Sequence, residues 1–127
     1  MALHYSKDFS QYTNKGVVFV IEGSLNKTSE IRPRWLGAND TLIEIPTINL
    51  RNKNSREIKN TQTTRLELYK VLSRLTELFD NGETIVIPFK RIGKHLCDLE
   101  SIDIELYDMI RNTLVDIAPN YEEVTYD

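Results

Sequence analysis

The chain has 127 residues, 40% of them hydrophobic and 28% charged, with a formal net charge of −3. That composition excludes a disordered chain, and the length suffices for one domain that folds without a metal or a disulfide. A single cysteine, Cys97, excludes an internal disulfide and fits a reducing compartment, while the longest apolar run, Val17 to Ile21, falls far short of the roughly 20 residues of a membrane helix.

Residues 1–15 read as an N-terminal arm. Met1 to Ser6 shows no basic segment followed by an apolar one, so a signal peptide is not expected and the expected location is the cytoplasm. Gly16-Val17-Val18-Phe19-Val20-Ile21 is continuous, apolar and β-branched, which predicts a strand buried on both faces and ended by Gly23. Ser29 to Leu36 can hold a short helix or turn, against which Pro33 argues. Thr41 to Ile45 predicts a second strand, stopped by Pro46. The stretch from Pro46 to Thr64 is long for a connection within a compact domain.

Thr64-Arg65-Leu66-Glu67 has the spacing of a capping box. Behind it Leu68, Val71, Leu72, Leu75, Leu78 and Phe79 recur at helical spacing, and Asn81-Gly82 supplies a stop. Thr84 to Ile87 predicts a third strand before Pro88. Lys90 to His95 reads as a basic loop. A second helix is expected from about Asp103 to Ile117, with its carboxylates in the first turns, where the helix dipole favours them. Pro119 ends it and leaves an acidic tail, 119–127. The alternation predicts a single α/β domain: a small, mainly parallel sheet flanked by helices.

Charge is unevenly placed. Residues 51–65 carry Arg51, Lys53, Arg56, Lys59 and Arg65 against Glu57, a net +4. Lys90, Arg91 and Lys94 form a second basic cluster. Residues 98–127 carry nine carboxylates against Arg111, a net −8. Both basic segments follow strands, and in open parallel sheets ligands bind beyond the strand C-termini. If the two strands run alike, both segments meet at one rim. There Arg offers forked donors, Lys a point charge, and Gly93 a close backbone approach to an anion. Solvated surface is the competing account of the same residues. Nucleic acid is a weaker alternative, since no aromatic side chains interleave with the cations and no helix is basic along one face. Trp35, beside Arg34, could anchor a partner, although core packing explains it as well. His95 and Cys97 do not make a catalytic pair by spacing. No metal site and no cofactor are expected.

Three stretches carry a family resemblance. They are Val18-Phe19-Val20-Ile21-Glu22-Gly23-Ser24-Leu25, then Ile45-Pro46-Thr47, then Ile92-Gly93-Lys94-His95-Leu96-Cys97, with Asp103-Ile104 opening the last helix. In this order they resemble small bacterial and phage α/β proteins of macrodomain-like layout, over about residues 17–117. The resemblance implies a macrodomain-like fold and a site for an ADP-ribose-like nucleotide, wrapped by glycine loops and in some relatives hydrolysed. The chain departs from the pattern at the ligand loops. Glu22 stands where a glycine is expected, Lys27-Thr28-Ser29-Glu30 replaces the glycine-rich loop, and His95 stands at the second glycine of the third stretch. A carboxylate at position 22 would repel a diphosphate.

The leading expectation is therefore a non-enzymatic interaction protein, phage-encoded by the resemblance, which binds and modulates a host protein in the host cytoplasm. Its charge split could also pair two copies. The alternative is a nucleotide binder or hydrolase. The candidate binding residues are Ser24, Trp35, Thr47, Arg51, Lys53, Arg56, Lys90, Arg91, Gly93 and Lys94.

Overall fold

The computed structural model describes residues 3–5, 14–25, 34, 36–49, 57–87 and 94–117. Its elements in chain order are β1 (Leu3–Tyr5), β2 (Val18–Ser24), β3 (Thr41–Ile48), α1 (Gln62–Asp80), β4 (Ile85–Ile87), α2 (Lys94–Ile102) and α3 (Ile104–Ile117). The four strands form one sheet in the order β1-β4-β2-β3, and each pair is parallel. The chain is thus an α/β protein with a small parallel sheet flanked by helices. Within the stretch read as an N-terminal arm, Leu3–Tyr5 is an edge strand, paired residue for residue with Ile85–Ile87. The short helix or turn expected over 29–36 lies largely outside the described residues.

β2 is interior, and its alternation explains the continuous apolar run. Val18 and Val20 point to the main core, with Ile43, Ile45, Ile85 and Ile87 from neighbouring strands and Leu68, Leu75, Leu106 and Leu114 from the helices. Phe19 points the other way, into a smaller cluster with Val17, Leu36 and Val86. A strand covered on both faces needs no polar alternation.

Two expected strand ends are corrected. β2 runs past Gly23 to Ser24, and β3 runs past Pro46 to Ile48. Pro46 is tolerated because, among the described residues, β3 pairs only with β2, and a missing N–H on the outer side of an edge strand breaks no ladder. Gly23 lies opposite Pro46, and the register then shifts, so that Ser24 pairs with Ile48 and Thr47 is skipped.

The start of α1 is also corrected. Its N-cap is Thr61, not Thr64: the Thr61 side chain accepts from the Thr64 backbone N–H at 3.1 Å. Thr61-x-x-Thr64 carries the capping spacing one turn earlier, and Thr64 is buried at the third helical position. Glu67 instead pairs loosely with Lys70, at 4.0 Å. At the other end Gly82 is left-handed (φ 88°), its N–H donates to the Phe79 carbonyl, and the Glu83 N–H donates to the Leu78 carbonyl. This is the Schellman closure that Asn81-Gly82 foretold.

α3 begins as expected. Asp103 is its N-cap, with Oδ1 accepting from the Leu106 N–H at 3.1 Å and from Asn60 Nδ2 at 3.2 Å. Asn60 Oδ1 in turn accepts from Arg65 Nη1 at 2.6 Å. This chain of bonds ties the start of α3 to the start of α1. α2 was not foreseen. Lys94 and His95, expected in a loop, are its first two residues, and it buries Leu96 and Leu99 in the main core. No described helix is long and apolar enough to cross a membrane.

Candidate functional site

All strands point the same way, so their C-terminal ends share one edge. The connections leaving that edge diverge. β3 leads through α1 back across the sheet to β4, whereas β2 leads outward to β3. Right-handed crossovers must then leave β2 and β3 on opposite faces. The packing agrees: α1 covers the face of Val18 and Val20, while Leu36, from the β2–β3 connection, lies against Phe19 and Val86. The C-terminal end of β2 is therefore the point where the winding switches, the usual ligand position in such sheets.

Glu22 stands at this point. It has the same alternation as Val18 and Val20, so its carboxylate points beneath the helices rather than away from them. Oε2 accepts from the Thr47 hydroxyl at 3.1 Å, and Oε1 accepts from the Leu96 backbone N–H at 3.4 Å. Leu96 is the third residue of α2, and its amide is one of those left unsatisfied at a helix start. The residue before α2 is Gly93, which has no side chain to cap it. A carboxylate from the neighbouring strand supplies the acceptor and complements the positive end of the helix dipole. The chain's own anion thus occupies the place where a helix N-terminus would meet a bound phosphate.

Of the residues singled out from sequence, the structure brings Thr47 into this cluster, buried and bonded to Glu22. Ser24 is half-buried at the end of β2, and its hydroxyl donates to the Leu25 carbonyl at 3.1 Å. Lys94 opens α2. Trp35, Arg51, Lys53, Arg56, Lys90, Arg91 and Gly93 lie outside the described residues. The points from which the two basic segments depart, after Ile48 and after Ile87, are both on the C-terminal edge of the sheet. Sequence reasoning marked Glu22 as a departure from a glycine pattern but did not give it partners. The available signal was a carboxylate with core parity at the end of an apolar strand.

No known protein family, curated protein or solved structure matches this chain.

A second polar centre lies at the opposite edge of the sheet, where β2 and β3 begin. Asp40 is buried immediately before β3. Oδ2 accepts from the N–H groups of Asn14 (2.6 Å) and Gly37 (3.1 Å). Oδ1 accepts from those of Lys15 (3.1 Å), Gly16 (3.0 Å) and Val17 (3.2 Å). Burial pushes this carboxyl's pKa up, but the N–H groups of Asn14, Val17, Gly37 and Gly16 outweigh it and hold the pKa below the ordinary aspartate value. Gly37 is required by close approach, since a Cβ there would lie 2.4 Å from Asn14 Cα. Asn14 itself is left-handed (φ 63°), a conformation asparagine tolerates better than most residues. Five converging amides leave Asp40 no lone pair for chemistry, so the centre is structural. Among the described residues no group of three or more His, Cys, Asp or Glu side chains could hold a metal.

Proposed function

We propose that this chain is a non-enzymatic interaction protein that binds and modulates another protein, which its resemblance to phage proteins makes a host protein. One observation carries the reading: the Glu22 carboxylate at the start of α2. A nucleotide diphosphate approaching the C-terminal edge would meet a fixed negative charge that already uses the helix N-terminus and the Thr47 hydroxyl. Displacing it would strand the carboxylate among partly buried groups, at a penalty no loop glycine would impose. A fold whose ligand edge is closed by its own side chain retains its surface as the means of recognition.

The alternative, a binder or hydrolase of an ADP-ribose-like nucleotide, draws on the switch of winding at β2, where nucleotides sit in other parallel sheets. Thermal unfolding with ADP-ribose, NAD and inorganic phosphate separates the two. The interaction reading expects no stabilisation by any of them. A ligand present at about 100 times its dissociation constant would add about 2.7 kcal/mol, and a melting shift of that order with ADP-ribose would replace the reading with the alternative. Nucleic-acid binding through the basic segments requires a steep loss of affinity with salt, which a gel-shift series from low to high ionic strength reads directly.

A further inference from the structure

α1 and α3 are tied at their starts through Asn60 and Asp103, and beyond the tie a groove opens between them. Its volume is about 530 Å³, within the roughly 300–1,000 Å³ of sites that take a ligand or anchoring side chains. Leu72 and Met109 form the apolar base, and Tyr69 forms one wall while remaining 66% exposed. Leu66, one turn before Tyr69 on the same flank of α1, is 51% exposed and extends the apolar surface.

Two threonines line the groove without offering a proton to an occupant. The Thr76 hydroxyl donates to the Leu72 carbonyl at 3.0 Å and the Thr113 hydroxyl to the Met109 carbonyl at 3.1 Å, so both protons are turned onto their own helices. Among the described residues the charge in the groove has one sign: Glu77 and Asp80 line it, no lining residue is cationic, and neither carboxylate is in an ion pair. Segment 119–127 of the same chain, with Glu122, Glu123 and Asp127, carries charge of the same sign as the groove.

We infer that this groove docks an amphipathic helix of a partner protein, with apolar side chains seated over Leu72 and Met109 beside Tyr69 and a lysine or arginine facing Glu77 and Asp80. The inference rests on the interaction reading and names its surface and the chemistry of the partner. Two helices with an apolar furrow between them suit a helical occupant. Acidic walls select a basic one, since like charge brought against them is repelled.

The test is a titration of ¹⁵N-labelled full chain with a synthetic amphipathic helical peptide bearing Leu and Phe on one face and Lys and Arg on the other. Two control peptides replace the cations by Glu or the apolar face by Ala. The basic peptide is expected to saturate shifts at Tyr69, Thr76 and Thr113 with a dissociation constant of about 1 mM or tighter. The controls should leave those signals in place, and Asp80→Lys should weaken binding by about tenfold or more. Tyr69→Ala, at an exposed position, should weaken it without changing the melting temperature. Silence of the groove, equal binding of the acidic peptide, or indifference to Asp80→Lys would overturn the inference. So would a concentration-dependent dimer that Asp80→Lys abolishes, because the groove's occupant would then be a second copy. The nucleotide melts decide the interaction reading separately. A silent groove with no nucleotide effect removes the docking site alone, and a nucleotide effect with an occupied groove removes the reading alone.

Discussion

The two edges of the sheet each hold a carboxylate that accepts backbone N–H groups, yet the two are embedded very differently. Asp40, where the strands begin, gathers five amides from two segments and is almost wholly buried. Glu22, where they end, is half-buried, and its partners include one helix-start amide, at 3.4 Å, and one hydroxyl. The first arrangement is a closed joint, in which every acceptor site is used to hold the chain before β2 against the chain before β3. The second is a plug in an otherwise ligand-competent position, holding one helix start with a longer bond. The contrast predicts that stability is concentrated at the first edge and that the second can be altered with little loss of fold.

The largest expected effect follows from removing the joint. Asp40→Ala leaves buried amides without an acceptor and should destabilise the protein by roughly 3 kcal/mol or more, since hydrogen bonds to a charged group are worth about 1.5–3 kcal/mol each and are not additive. Urea unfolding at neutral pH measures it, and a loss under about 1 kcal/mol would show that the amides find other partners. The same group sets an acid limb. Its folded pKa is lowered, so its contribution is complete above the unfolded value, near the ordinary 3.8, and is lost as pH falls through the lower folded value. The stability gap between wild type and Asp40→Asn should therefore be widest at neutral pH and narrow below about pH 4.

Next comes Gly37. A methyl group there overlaps Asn14 Cα and Cβ, both backbone-proximal atoms with no rotamer to escape into. Gly37→Ala should lower stability by about 1–3 kcal/mol, the range for overpacking. It should do so through the same edge as Asp40, so the double variant should lose less than the sum of the two. Additive losses would separate the glycine from the joint. Smaller again is the tie between α1 and α3. Asp103→Ala removes the N-cap of α3 and the bond to Asn60, for about 1–2 kcal/mol. Asp103→Asn, which keeps an acceptor for Leu106, should recover most of it in the same urea series.

What could be read ahead of the structure divides along similar lines. β2, β3, β4, α1 and α3 were legible because the signals are local: β-branched apolar runs, leucines at helical spacing, Asn81-Gly82 after the last one. The errors needed information from a distance. Pro46 looks like a terminator until β3 is known to be an edge strand. β1 is three residues long and is defined by pairing with Ile85–Ile87 rather than by pattern. α2 hides because Lys94–Ile102 spans few turns and its basic start resembles a loop. Asp40 gave no sequence signal, since its partners lie up to 26 residues away and are backbone amides, which any residue but proline supplies. Thr47 and Ser24 were placed at the strand ends, but the partner that makes the edge a filled site, Glu22, was seen only as a departure from a glycine pattern. Much of the basic rim lies outside the described residues, so Thr47 and the start of α2 are what tie the sequence reading to the site.

The smallest expected effect on stability is also the most informative about function. Glu22→Ala removes one hydrogen bond to Thr47 and a carboxylate from the start of α2, together worth about 1 kcal/mol. The loss of charge matters more than the loss of stability. With the plug gone, the Leu96 amide and the Thr47 hydroxyl become donors facing an edge where the winding switches, the arrangement that receives anions in other parallel sheets. Inorganic phosphate should then raise the melting temperature of Glu22→Ala more than that of wild type, and Glu22→Gln, which keeps an acceptor but no charge, should fall between them. If wild type responds to phosphate as strongly as Glu22→Ala, the carboxylate does not close the edge. The two ends of the sheet would then differ in packing alone, and the case for an interaction protein would lose its supporting contact.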